Sequence, residues 1–214
     1  MNSRTLRLEL AGASGLLVEA LRDDPSLESG LSPRGVAVIA HPHPLFGGTM
    51  DNKVVQTLAR AFVQCGWTTV RFNFRGVGAS QGAFDNGLGE AQDLLAVIEQ
   101  SAPSGTLALA GFSFGSYVTS QALSALWPTR DIEKVVLVGT AASRFEVPPL
   151  PVQAHDRTLV LHGELDDTVA LSDVMDWARP QSLPVTVVPG GSHFFHGQLP
   201  LLKNLVLRHL SASV

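Results

Sequence analysis

Gly111-Phe112-Ser113-Phe114-Gly115 matches the pattern G-x-S-x-G, and its neighbours place it where a buried strand turns into a helix. Thr106 to Ala110 is a short apolar run, the pattern of a strand covered on both faces. From Ser116 to Leu126 the apolar residues Val118, Ala122, Leu123 and Leu126 fall at helical spacing. A turn this sharp forces its middle residue into a strained backbone, and glycines two before and two after let strand and helix approach without a Cβ clash. The Ser113 hydroxyl then stands at the positive end of the following helix, as in a nucleophile elbow. The five-residue string is weak by itself; its context and its partners decide.

Working outward, strands and helices alternate. Thr5 to Leu10 and Gly15 to Leu21 alternate in polarity about Gly12, Ala13 and Ser14, which predicts an antiparallel hairpin. A polar loop from Arg22 to Arg34 leads to Gly35–Ala40, the first fully buried strand. Helices are predicted at 51–64, 89–100, around 174–178 and at 201–210, and strands at 67–74, 135–139, 158–162 and 185–188. This order predicts an α/β fold: a doubly wound, mostly parallel sheet with its site at the carboxyl ends of the strands. At 214 residues and 45% hydrophobic content, with no repeat or linker, the chain reads as a single domain, 1–214.

Net charge of −4 argues against nucleic acid or an anionic membrane as partner. Cys65, the single cysteine, excludes an internal disulfide framework and a cysteine zinc cluster, and its apolar helical setting predicts a buried structural thiol. Met1 to Thr5 leads into the first strand without an apolar signal core, and no stretch approaches the roughly 18 to 20 apolar residues of a membrane span. The expectation is a cytoplasmic protein. An exposed sheet edge near the first hairpin would suit a homodimer, which nothing in the sequence demands.

A serine hydroxyl is a weak nucleophile that needs a histidine to take its proton and a carboxylate to orient that histidine. Two strand ends after Ser113 supply them: His162-Gly163-Glu164-Leu165-Asp166-Asp167-Thr168-Val169 and Gly190-Gly191-Ser192-His193. The order Ser113, Asp166, His193, with H-G-x-x-D-x-x-V at 162–169, resembles the α/β-hydrolase superfamily. By that resemblance Asp166 is the acid, with Asp167 as the rival in a shifted register. His193 is the base, ahead of His196 three residues on, while His155 and His162 serve loop structure. Phe72 to Gly82 (F-N-F-R-G-V-G-A-S-Q-G), with His41-Pro42-His43-Pro44 near the front, resembles the small esterase-like and serine-aminopeptidase-like members over almost the whole chain. There Arg75 ties down a tight loop, with a role toward a substrate carboxylate as the lesser reading, and Ser80 is a loop residue.

An oxyanion hole needs two N–H donors aimed at the developing charge. Phe114 supplies one. Pro42 and Pro44 have no N–H, so the other comes from His43, Leu45 or Phe46, with Leu45 favoured. His41-x-His43 also admits a zinc site, but no third ligand completes it locally, so no metal or cofactor is expected. Larger relatives insert lids between the strands at 135–139 and 158–162. Here that gap, 140–157, is short and proline-containing, which predicts no cap domain and an open site walled by Phe46, Phe114, Phe145 and Phe194.

The resulting expectation is a serine hydrolase of small or extended carboxylic esters. A thioesterase or an aminopeptidase would use the same triad, the latter with an acidic anchor such as Asp85 or Glu164. A hydrolase fold without catalysis, acting as a binding module, and a metal-dependent enzyme are the alternatives from other classes. Serine at 113 argues against a dienelactone-type cysteine enzyme and excludes an aspartate-nucleophile dehalogenase.

Overall fold

The computed structural model of the chain describes residues 5–13, 15–26 and 32–212. Ser14 of the predicted hairpin turn, 27–31 of the polar loop and residues 1–4, read as a lead-in to the first strand, lie outside them. Eight strands, β1 (Leu6–Ala11), β2 (Leu17–Asp23), β3 (Gly35–Ala40), β4 (Trp67–Phe72), β5 (Leu107–Phe112), β6 (Ile132–Val138), β7 (Thr158–Gly163) and β8 (Val185–Val188), form one sheet. Its order is β1-β2-β4-β3-β5-β6-β7-β8. β1 pairs antiparallel with β2 and β2 antiparallel with β4; every later pairing is parallel. Among the described residues five α-helices complete the fold: α1 (Lys53–Gln64), α2 (Leu88–Ser101), α3 (Phe114–Leu126), α4 (Leu171–Ala178) and α5 (Leu199–Ser211).

Side chains alternate across the central strands and so divide the core in two. Val38 and Ala40 of β3, with Leu107 and Leu109 of β5, pack beneath α2, α3 and α4. Ala37, Ile39, Ala108, Ala110 and Phe112 face the other way, beneath α1 and α5. Covering both faces explains why the central strands read as unbroken apolar runs rather than alternating ones.

Element ends differ from the sequence expectation for local reasons. α1 begins at Lys53, not Asp51, because Asn52 caps it: the Asn52 side chain accepts the Val54 N–H. β4 stops at Phe72 because the Phe74 N–H leaves the ladder for a side chain, the Nε2 of His41 (2.9 Å). β6 starts three residues early, at Ile132, its polar Lys134 masking it; the buried Lys134 Nζ donates to Ala212 O (2.8 Å). Cys65 is a correction: it caps the C-terminus of α1 and packs half-buried against the core, so it is not an interior helical thiol. Among the described residues no helix is long and apolar enough to cross a membrane.

β3 hands the chain to the site through His41, which is fully buried. Nε2 accepts the Phe74 N–H, so the proton sits on Nδ1, 2.6 Å from Pro42 O. The ring thereby ties the exit of β3 to the exit of β4. Burial, opposed by the Pro42 contact, lowers its pKa to about 3 from the ordinary 6.5. Below about pH 6.5 the unfolded chain therefore binds a proton at His41 that the folded chain refuses until about pH 3, so stability falls as the pH is lowered across that window. This group alone should lower unfolding free energy by about 2 kcal/mol at pH 5 relative to pH 7, on the order of 1.4 kcal/mol per pH unit. Urea unfolding followed over that range checks it, and His41→Gln should flatten this part of the slope.

Candidate active site

The elbow is the turn by which β5 passes directly into α3. Ser113 lies between β5 and α3 at φ 57°, ψ −118°, a region that costs a non-glycine residue on the order of 1–3 kcal/mol. The glycines are required by contact: a Cβ on Gly115 would stand 2.4 Å from Ala40 O and 2.6 Å from His41 O. One on Gly111 would stand 2.4 Å from Gly115 O. The crossing is held from behind by Ser116, whose Oγ donates to Gly111 O (2.8 Å) and accepts the Val138 N–H (3.1 Å). Sequence reading passed over Ser116, since a serine in a helix carries no signal of such a role.

Three strand ends converge on the Ser113 hydroxyl. His193, from the loop after β8, lies with Nε2 3.0 Å from Ser113 Oγ and Nδ1 2.7 Å from Asp166 Oδ2. Asp166 follows β7, and its second oxygen accepts the N–H groups of Thr168 (2.9 Å) and Val169 (2.8 Å). Burial by itself would raise the Asp166 carboxyl, but the His193 hydrogen bond and these N–H donors outweigh it and hold the group below the ordinary carboxylate range. The carboxylate fixes a proton on Nδ1 and leaves Nε2 as the acceptor for the Ser113 O–H. Asp167 and His196, the rivals, are both exposed, and His196 sits in a turn ahead of α5.

His162 is buried behind the acid, with Nε2 3.0 Å from Val169 O and 3.6 Å from Asp166 Oδ2. Burial lowers its pKa against the pull of Asp166, so it stays a neutral brace for the acid turn. His155 contacts Leu150 O at 3.3 Å, away from this centre. Arg75 makes a two-pronged bond to Asp93 of α2 (2.7 and 3.0 Å), with Asp85 3.8 Å away. Ser80 Oγ donates to Asn73 O and accepts the Glu19 N–H, which makes it a loop tie.

The His-Pro-His-Pro loop corrects one expectation. Leu45 is 67% exposed and its N–H donates to His43 Nδ1 (3.2 Å), so it is not free to hold an oxyanion. The Phe46 N–H is likewise engaged, on His43 O (3.2 Å). Of the three candidate donors this leaves His43. Nor do His41 and His43 form a chelating pair: both His41 nitrogens are engaged within the protein and His43 Nδ1 is taken by Leu45.

A cleft of about 310 Å³ opens over Ser113 and His193. Phe46, Phe114, Phe145 and Phe194 line it, together with Pro42, His43, Asn52, Ala141, Arg144, Thr168 and Val169. The His43 ring anchors the aromatic wall, with centroids 4.7 Å from Phe46 and Phe84 and 5.1 Å from Phe114. The link from β6 to β7 holds only a short 3-10 turn, Val152–Arg157, and nothing that roofs the cleft. Asn52 and Arg144 escaped sequence reading because only the folded chain brings α1 and the β6 exit to this opening.

Residues 32–156 match the model of the serine aminopeptidase S33 family of hydrolases. An uncharacterized protein of Rickettsia prowazekii (RP471) is 32% identical over 177 residues, 75% of this chain and 71% of that one. An α/β serine hydrolase without a lid from Xanthomonas campestris superposes with a TM-score of 0.83 at 35% identity, covering 100% of this chain and 99% of that one. An α/β serine hydrolase homologue from Coxiella burnetii gives 0.78 at 36% identity, covering 99% of each. The chain belongs to this family of α/β serine hydrolases.

Proposed function

We propose that the protein hydrolyses small or extended carboxylic esters through Ser113, His193 and Asp166. The observation that carries this reading is the hydrogen-bonded series Asp166–His193–Ser113, at 2.7 and 3.0 Å, at the head of an open cleft with apolar walls. Ser113 Oγ attacks the ester carbonyl as its proton passes to His193 Nε2, and Asp166 stabilises the imidazolium. The N–H groups of Phe114, at the start of α3, and of His43 hold the oxyanion. Collapse returns the proton from His193 to the departing alkoxide and leaves an acyl group on Ser113. Water, deprotonated by His193, attacks that acyl carbonyl; breaking the acyl–Oγ bond releases the carboxylic acid and restores Ser113.

Esters are favoured over peptides with a free N-terminus because an ammonium group needs an acidic anchor. Among the described residues no Asp or Glu lines the cleft. Asp85 and Glu164 are engaged elsewhere, Asp85 accepting the Gly89 N–H and Glu164 the Gly190 N–H. A thioester would meet the same attacking groups, and the leaving group is decided by the cleft. The hydrogen-bonded order of all three residues argues against a binding module that has lost catalysis.

A fluorophosphonate should add once to the wild type and not to Ser113→Ala, as read by intact mass. Labelling retained in the variant would refute the assignment of the nucleophile. Asp166→Asn should keep the N–H contacts of Thr168 and Val169 but present an amide donor to His193 Nδ1 and so invert the tautomer. Its kcat on a short acyl ester should fall by about 10³–10⁴-fold. A loss under tenfold would remove Asp166 from the role of acid.

A further inference from the structure

Arg144 lies on the turn that follows β6, its N–H bonded to Ala141 O, and its side chain lines the cleft beside Ser113. It is exposed, and its guanidinium rests 5.9 Å from the centroid of Phe46. Arg75, for which the sequence left open a role toward a substrate carboxylate, is not among the cleft's lining residues and is locked onto Asp93. Arg144, by contrast, has no carboxylate within ion-pairing distance among the described residues. An unpaired guanidinium over an aromatic face keeps its planar fork for a ligand.

The remaining polar groups of the cleft point the same way. Asn52 Oδ1 accepts the Val54 N–H, so what Asn52 has left to offer is its NH₂. His43 Nδ1 accepts the Leu45 N–H, which places the proton of the neutral ring on Nε2. Burial, with the nearby charge of Arg144, lowers the His43 pKa and keeps that ring neutral. The cleft thus combines aromatic walls, donors without matching acceptors and a cation that nothing neutralises.

Resting on the serine-hydrolase reading above, we infer that the substrate is an ester carrying a carboxylate, whose flat apolar body lies along the phenylalanine walls while Arg144 pairs with the carboxylate. Guanidinium and carboxylate match as two parallel N–H···O bonds, which sets orientation as well as attraction. The site is open, so the gain is that of a partly exposed charge-assisted contact rather than a buried pair.

The test uses two matched pairs of rigid aryl esters, in which the carboxylate cannot reach its own ester. One pair is 4-acetoxybenzoate and 4-acetoxybenzamide, with the charge on the leaving group. The other is phenyl 4-carboxybenzoate and phenyl 4-carbamoylbenzoate, with the charge on the acyl group. The readout is the ratio of kcat/KM within each pair. In the wild type at least one carboxylate ester should exceed its amide partner about fivefold or more. Arg144→Gln should bring that ratio close to one and Arg144→Glu should invert it. Wild-type ratios of one or below in both pairs overturn the carboxylate subsite while leaving the ester-hydrolase reading intact. So does a preference that survives in Arg144→Gln. If folded wild type releases no phenol from any of the four, both the subsite and the reading fall.

Discussion

The structure turns on a steric constraint: the close crossing of Gly115 over the carbonyls of Ala40 and His41. With no Cβ at that point, α3 drops onto the end of β3, and the turn between β5 and α3 becomes tight enough to drive Ser113 to φ 57°. The strain is carried by two fully covered strands, by Ser116 bonding back to Gly111 and Val138, and by the packing of α3 beneath the sheet. The same crossing brings the Phe114 N–H and the His-Pro-His-Pro loop to one place. Ser113 and the candidate oxyanion donors therefore share one mechanical origin.

Around that fixed point the remaining groups are set by how the strands end. β7 ends in a turn whose N–H groups grip one oxygen of Asp166, leaving the other for His193. The loop after β8 brings His193 against Phe112, 4.9 Å between centroids, and under Phe194 at 5.1 Å. The imidazole is thus confined on its faces by aromatic packing and on its edge by a carboxylate. Burial of His41, His162 and His193 puts three histidines near one centre, yet their partners give them different work. His41 ties strands, His162 braces the acid turn, and His193 alone has a nitrogen facing the serine.

With no roof over the cleft, its rim stands open to solvent. The short β6–β7 connection that leaves the cleft uncovered also supplies Ala141, Arg144 and Phe145 to its lining. The Phe145 ring stacks on Tyr117 at 4.7 Å and holds this rim against α3. The aromatic surface is packed where it touches the core and exposed where it meets solvent, at Phe46 and Phe194.

The sequence by itself determined the α/β order, the sheet's parallel character and the elbow, and by resemblance it put Asp166 and His193 forward ahead of their neighbours. Those features are local: strand runs, glycine spacing and the register of a residue within two or three positions of a strand end. It did not determine what Leu45 does, because a donor's availability depends on where the adjacent His43 ring turns, and that ring is oriented by Phe84, Phe114 and Phe145 from distant segments. It gave no sign that Asn52 or Arg144 would face Ser113, nor that Lys134 would lie inside a strand. Only the tertiary structure decided these, since a polar side chain's role is fixed by which partners remain unused after packing, and that is a property of the assembled sheet rather than of any stretch of chain.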